Sequence, residues 1–213
     1  MSECDPRLVR AAYTSDTITV YQAYSSEIAD AAGRAGAFVQ PFSRDRMTWI
    51  KPSFGWMMHR SGWASKPGQE RILAIQLIRA GFEWALAHSC LSDYQPAQHD
   101  SPQAWAALKE SSPVRIQWDP DRSLSVDRLA IRAIQVGLSG EAVRRYCEEW
   151  VCSITDITAT VRRVSRLVRD GRIAEAAGEV PAERVYPLSA PVAQRIGAEP
   201  GCLESANLAA RER

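Results

Sequence analysis

The sequence predicts an α+β fold: a single domain over residues 1–187, followed by a loosely ordered tail at 188–213. Three observations lead there. β-branched and aromatic runs recur at 17–24, 72–78, 114–118, 131–136 and 151–157. The lengths between them are irregular, which argues against a regular βαβ array and for a mixed, mostly antiparallel sheet flanked by helices. From Pro187 onward the composition turns to Ala, Pro, Gly and charge, too poor in bulky apolar residues to sustain a core of its own.

Residues 17–24 alternate with period two and place Ile18, Val20, Gln22 and Tyr24 on one face of a strand. Ser25-Ser26-Glu27 opens an alanine-rich helix that Gly36 ends. Pro52 suits the first turn of a helix over 52–61, with Phe54, Met57, Met58 and Ser61 along one side and Gly62 as its stop. A KPGQE turn leads into the strand at 72–78. A helical or irregular stretch from 82 to 107 follows, broken by Pro96 and Pro102. The strand at 114–118 is expected to stop at the turn Asp119-Pro120-Asp121. After the strand at 131–136, Gly137 to Gly140 leads into a helix over 141–150 and a last strand at 151–157. An arginine-rich helix over 159–170 carries the stripe Val161, Val164, Leu167 and Val168 and is capped by Gly171. A short helix at 173–178 completes the domain.

The composition excludes several classes. Hydrophobic content of 46%, charged content of 24% and net charge +1 are those of a globular chain, without the charge excess of a large nucleic-acid footprint. No apolar run is long enough for a membrane helix and the N-terminus lacks a signal-peptide core, so a cytoplasmic protein with no membrane partner is expected. The five cysteines form no C-x-x-C pair and the three histidines no ligand spacing, so no metal is expected. There is no GxGxxG opening a βαβ unit, no Walker loop and no G-x-S-x-G.

The strongest functional signal is Pro41–Glu70. It sets Trp49, Trp56 and Trp63 among the cations Arg44, Arg46, Lys51, Arg60 and Lys66, with Arg71 just beyond, against only Asp45 and Glu70. Cations mixed with bulky apolar residues must reach solvent or face an anion. A phosphate-bearing ligand is therefore expected, held by Ser43, Arg46 and Lys51, with Lys51 at the N-terminus of the 52–61 helix. Gln22, Gln76, Gln117 and Gln135 each sit in a predicted strand. Buried amides need partners, so they either bond neighbouring loops or line a cleft that orients a base or amide. Glu70, at a strand edge, is the candidate acid, and His59 reads more simply as a surface or core histidine.

Several runs resemble one family. These are Tyr21-Gln22-Ala23-Tyr24, Phe42-Ser43 with Arg46 to Phe54, Trp56-Met57-Met58, Arg60 to Trp63, Gln69-Glu70 and Ile134 to Leu138. They look like the microbial family catalogued as domain of unknown function 4291, over nearly the whole chain except the tail. The order of elements resembles, at fold level, the ADP-ribosyltransferase superfamily with its split sheet. That resemblance implies NAD as substrate in a cleft, no metal, and transfer of ADP-ribose to an acceptor, nucleic acid being one candidate. It places Gln22 at the polar first-strand position and Gln135 at the late one, with Glu70 as a further catalytic candidate. Tyr21, Tyr24 or Trp49 would stack on the nicotinamide or adenine, and Arg46, Lys51 and Arg60 would hold the pyrophosphate. The first strand here has no His or Arg, and no late E-x-E or Q-x-E occurs. Two alternatives use the same residues: an RNA-binding or RNA-modifying protein, and a non-enzymatic interaction domain whose tryptophans are only core.

Overall fold

The computed structural model describes residues 6–199. Among them are eight α-helices and nine strands in three sheets. The strands are β1 (Arg10–Ala11), β2 (Thr17–Tyr24), β3 (Thr48–Ile50), β4 (Arg71–Ile78), β5 (Ser89–Leu91), β6 (Val114–Arg122), β7 (Arg128–Leu138), β8 (Val151–Asp156) and β9 (Arg184–Val185). The helices are α1 (Ser26–Ala35), α2 (Phe54–Ser61), α3 (Arg79–Ala87), α4 (Pro102–Ser111), α5 (Glu141–Arg145), α6 (Thr158–Arg169), α7 (Ile173–Gly178) and α8 (Ala190–Ile196). Tyr146–Trp150 continues α5 as a π-helical turn.

Two sheets carry the fold. One has the order β2-β4-β8, antiparallel throughout. The other has the order β3-β7-β6-β5, in which only β5 and β6 run parallel. β1 and β9 pair separately and tie the N-terminal segment to the chain beyond α7. The main core lies where the two large sheets meet. Ile18 and Val20 of β2, with Leu73, Ile75 and Leu77 of β4, pack in one cluster with Ile50, Ile116, Val136 and Leu138 of the other sheet. Phe82, Ala85 and Leu86 of α3 join the same cluster. The opposite face of β2 and β4 packs Tyr21 and Ile72 against Phe54, Met57 and Met58 of α2 and Val161 of α6.

The predicted α+β domain is observed, and several boundaries move for physical reasons. β6 does not stop at Asp119-Pro120; it runs to Arg122 opposite β7. β5 pairs only with Val114 to Ile116, so Pro120 lies beyond its end and needs no N–H on that side. Gly137, expected in a loop, belongs to β7, where the Trp49 ring and Met47 lie over it. A Cβ there would come within 3.0 Å of Trp49 Cε2 and 2.8 Å of Met47 Sδ. α2 begins at Phe54 rather than Pro52, because Ser53 caps it by accepting from Trp56 N at 3.2 Å. The segment after Pro187, expected to be loose, forms α8. Ala193 and Ile196 are buried there, and Trp118 Nε1 donates to Ile196 O at 2.7 Å. The remainder of the expected tail, from residue 200, lies outside the described residues. No described helix is long and apolar enough to cross a membrane.

Candidate functional site

Between β2 and β3 the two large sheets part. One pair of backbone bonds joins them: Tyr21 N donates to Lys51 O at 2.7 Å, and Lys51 N to Tyr21 O at 3.3 Å. Beside this junction a cleft of ≈ 480 Å³ opens. β2 contributes Gln22, Ala23 and Tyr24, and the start of α1 contributes Ser25 and Ile28. The α1–β3 loop brings Pro41, Phe42, Ser43, Arg46 and Met47. β3 and its end bring Thr48, Trp49 and Lys51, α2 brings Met57 and Arg60, and the α2–β4 turn adds Gly68 and Gln69. Seven sequence-predicted residues therefore line one space: Gln22, Tyr24, Ser43, Arg46, Trp49, Lys51 and Arg60.

The six cations of the segment divide by what they touch. Arg44 pairs with Glu148 at 2.7 Å. Arg71 bonds Asp30 at 2.7 Å and also Asp156. Lys66 Nζ donates to Arg60 O at 2.8 Å. Those three are structural. Arg46, Lys51 and Arg60 face the cleft and form no ion pair with a carboxylate among the described residues.

Lys51 is the unusual one. It is buried, its Nζ donates to Trp49 O at 2.8 Å, and it stands 5.8 Å from the centre of the Trp56 ring. Burial pushes its pKa down from 10.5 to about 7, the Arg60 charge pushes the same way, and Asp119 opposes weakly. The cleft thus holds an amine whose charge changes near neutrality. Lys51 does not stand at the N-terminus of α2, as the sequence suggested. That terminus is already occupied: Glu183 Oε1 accepts from Phe54 N at 2.6 Å, and Ser53 Oγ donates to Asp121 at 2.7 Å. The protein supplies its own carboxylate where a phosphate was expected.

Gln22 is 3% exposed and its amide is committed. Nε2 donates to Thr48 Oγ1 at 2.9 Å and to Trp49 O at 3.2 Å, and Oε1 accepts from Tyr146 OH at 2.7 Å. Tyr24 OH shares a hydrogen bond of 3.2 Å with the same Thr48 hydroxyl. Gln22 therefore acts as a strut that holds β3 against β2. It also fixes the backbone of the cleft residue Trp49 by holding its carbonyl.

The other predicted residues lie elsewhere. Tyr21, expected to stack on a ligand, projects to the opposite face of β2, edge-on to Phe54 at 5.5 Å. Gln135 faces Gln117 across β6 and β7, and both amides donate to Asp119. Gln76 accepts from Ser153 Oγ at 3.2 Å on the surface. The four strand glutamines thus do not share one cleft: Gln117 and Gln135 meet at Asp119, and of the four only Gln22 lines the cleft. Glu70 follows the cleft residue Gln69. Its Oε1 accepts from Gly68 N at 2.8 Å, while its Oε2 is buried without a partner. His59 is exposed on α2, with its pKa lowered chiefly by partial desolvation and by neighbouring arginines and Lys66. Among the described residues no group of three or more His, Cys, Asp or Glu side chains could hold a metal ion. Thr48 and Tyr146, the partners of Gln22, were not singled out from the sequence. Thr48 stood in the quoted motif, whereas Tyr146 lies 124 residues from Gln22 and gave no local signal.

The profile of a family described as a domain of unknown function (DUF4291) matches residues 8–186, and the chain belongs to that family. No curated protein matches the chain.

Proposed function

We propose that the chain is an ADP-ribosyltransferase-like enzyme that binds NAD or a related nucleotide in the β2–β3 cleft and transfers ADP-ribose to an acceptor. One observation carries the reading. Seven residues whose types suit nucleotide chemistry line a single cleft where the two large sheets part. Its volume of ≈ 480 Å³ falls within the usual range for small-molecule sites.

In this reading Arg46 and Arg60 take the pyrophosphate as guanidinium donors, and Lys51 adds a third positive charge once protonated. Trp49 and Tyr24 offer flat surface to the bases. Gln22 is a positioning residue. The bond between the ribose C1′ and the nicotinamide nitrogen breaks, and nicotinamide leaves with the electron pair. The acceptor's nucleophile then bonds to C1′ and releases its proton. The ribose is cationic in between, so catalysis consists of holding the two halves and stabilising that charge. Stabilising that charge falls in this reading to Glu70, which follows Gln69 of the cleft and keeps one oxygen without a protein partner.

Incubation with NAD labelled in its adenylate half tests this. Nicotinamide release and label transfer to protein or nucleic acid acceptors are expected, both lost in Arg46→Ala/Arg60→Ala. Absence of nicotinamide release, of transfer and of any NAD-induced thermal shift would remove the reading.

A further inference from the structure

A second cavity, of ≈ 210 Å³, shares no lining residue with the cleft. Leu91, Ile116 and Trp118 form part of its lining, and Arg7 and Arg132 both reach it. Backbone contacts bring the two arginines together. Arg7 forms a parallel bridge with Arg132, and Arg132 N donates to Pro6 O at 2.8 Å. Glu199 N donates to Arg7 O at 3.0 Å. The Arg7 guanidinium fits beside Gly197, where a Cβ would stand 2.8 Å from Nη1.

Neither arginine forms an ion pair with a carboxylate among the described residues. Arg132 Nη1 donates to Trp118 O at 3.1 Å, but its Nε is buried with no partner. Two like charges converge on one cavity, and one of the two guanidinium groups keeps an unpartnered nitrogen beside it. The convergence of the two guanidinium groups costs free energy, and an anion with more than one acceptor oxygen relieves it. Ser92 adds a hydroxyl to the lining. Asp93 also lines the cavity, which suits a ligand whose other end carries a hydroxyl donor.

We propose that this cavity is a second ligand site, for a small oxyanion: a phosphate or carboxylate on a compact hydroxylated body, clamped by Arg7 and Arg132. It is too small for a dinucleotide and is independent of the reading of the cleft.

Calorimetric titration of the full chain at fixed ionic strength with inorganic phosphate, glycerol 3-phosphate and glycerate tests it. Saturable binding of at least one is expected. The two organic anions carry the same diol end, so their order of affinity tells phosphate from carboxylate. Arg132→Gln and Arg7→Gln are each expected to weaken binding by about tenfold or more, while Arg144→Gln, on the exposed face of α5, leaves it unchanged. Should Arg132→Gln fail to fold, Arg7→Gln carries the test. Absence of saturable binding for all three anions would overturn the proposal. So would affinity undiminished in the folded Arg7→Gln and Arg132→Gln variants, or diminished as much in Arg144→Gln.

Discussion

Lys51 concentrates the chemistry of the cleft in one side chain. Its amine is enclosed, faces Arg60, and has a carbonyl rather than a carboxylate as partner, which brings its pKa to about 7. A phosphate favours the ammonium, so binding takes up a proton when the medium is above that value. Affinity for NAD is expected to be highest below pH 7 and to fall above it, by at most about tenfold per pH unit. Lys51→Met should flatten the profile and leave the weak limit. Titration calorimetry on either side of neutrality checks this, and a slope retained in Lys51→Met would count against it. Side-chain identity made Lys51 visible in the sequence as one of three lysines among 26 basic residues. Its burial was not visible, because that depends on Trp56 and on the β2–β3 junction closing over it.

At the scale of elements, β2, α1, β4 and α6 were legible because each carries its own period and punctuation. The α6 stripe, for example, buries Val161 and Val164 as its spacing required. β3 was missed because three residues give no period. The end of β6 was misplaced because Asp-Pro-Asp is a turn signal that the pairing with β7 overrides. At the start of α2 the acceptor for Phe54 N is Glu183, whose arrival there depends on the β1–β9 pairing and has no local mark. The same helix sits unusually close to β6. A Cβ on Gly55 would fall 2.1 Å from Arg122 O, a backbone atom that cannot swing aside. Gly55→Ala is expected to destabilise the fold by roughly 1–3 kcal/mol and to displace α2, hence Arg60, from the cleft. Chemical denaturation alongside NAD titration reads both effects. Unchanged stability would mean that α2 can move without cost.

For the whole molecule, two titratable groups near the α2 start, the buried Lys51 and the half-buried Glu183, shape stability against pH in opposite directions. Burial raises Glu183 from 4.5 to about 7, with Asp121 adding to the rise and Phe54 N and Arg10 opposing it. The native state then holds a proton that the unfolded chain has lost, so stability falls as pH rises from 4.5 to about 7. Lys51 does the reverse. Between about 7 and 10.5 the unfolded chain holds the extra proton, and stability rises with pH. Together these two groups place a minimum near neutrality. Urea unfolding across that range should show it, and Glu183→Gln should remove the acid limb while keeping the alkaline one. An acid limb that persists in Glu183→Gln would assign it to other groups.

The architecture of one α+β domain followed from irregular strand spacing. The division into two sheets meeting at Tyr21 and Lys51 did not, because it rests on which strands fail to pair, and unpaired edges leave no pattern in a sequence. That division makes the cleft, and the cleft is the basis of the functional reading. The most direct measurement is calorimetric titration of NAD into the full chain below pH 7. A saturable isotherm that Arg46→Ala/Arg60→Ala abolishes in a folded protein is the predicted result. No binding by the wild type, or equal binding by the double variant, would contradict it.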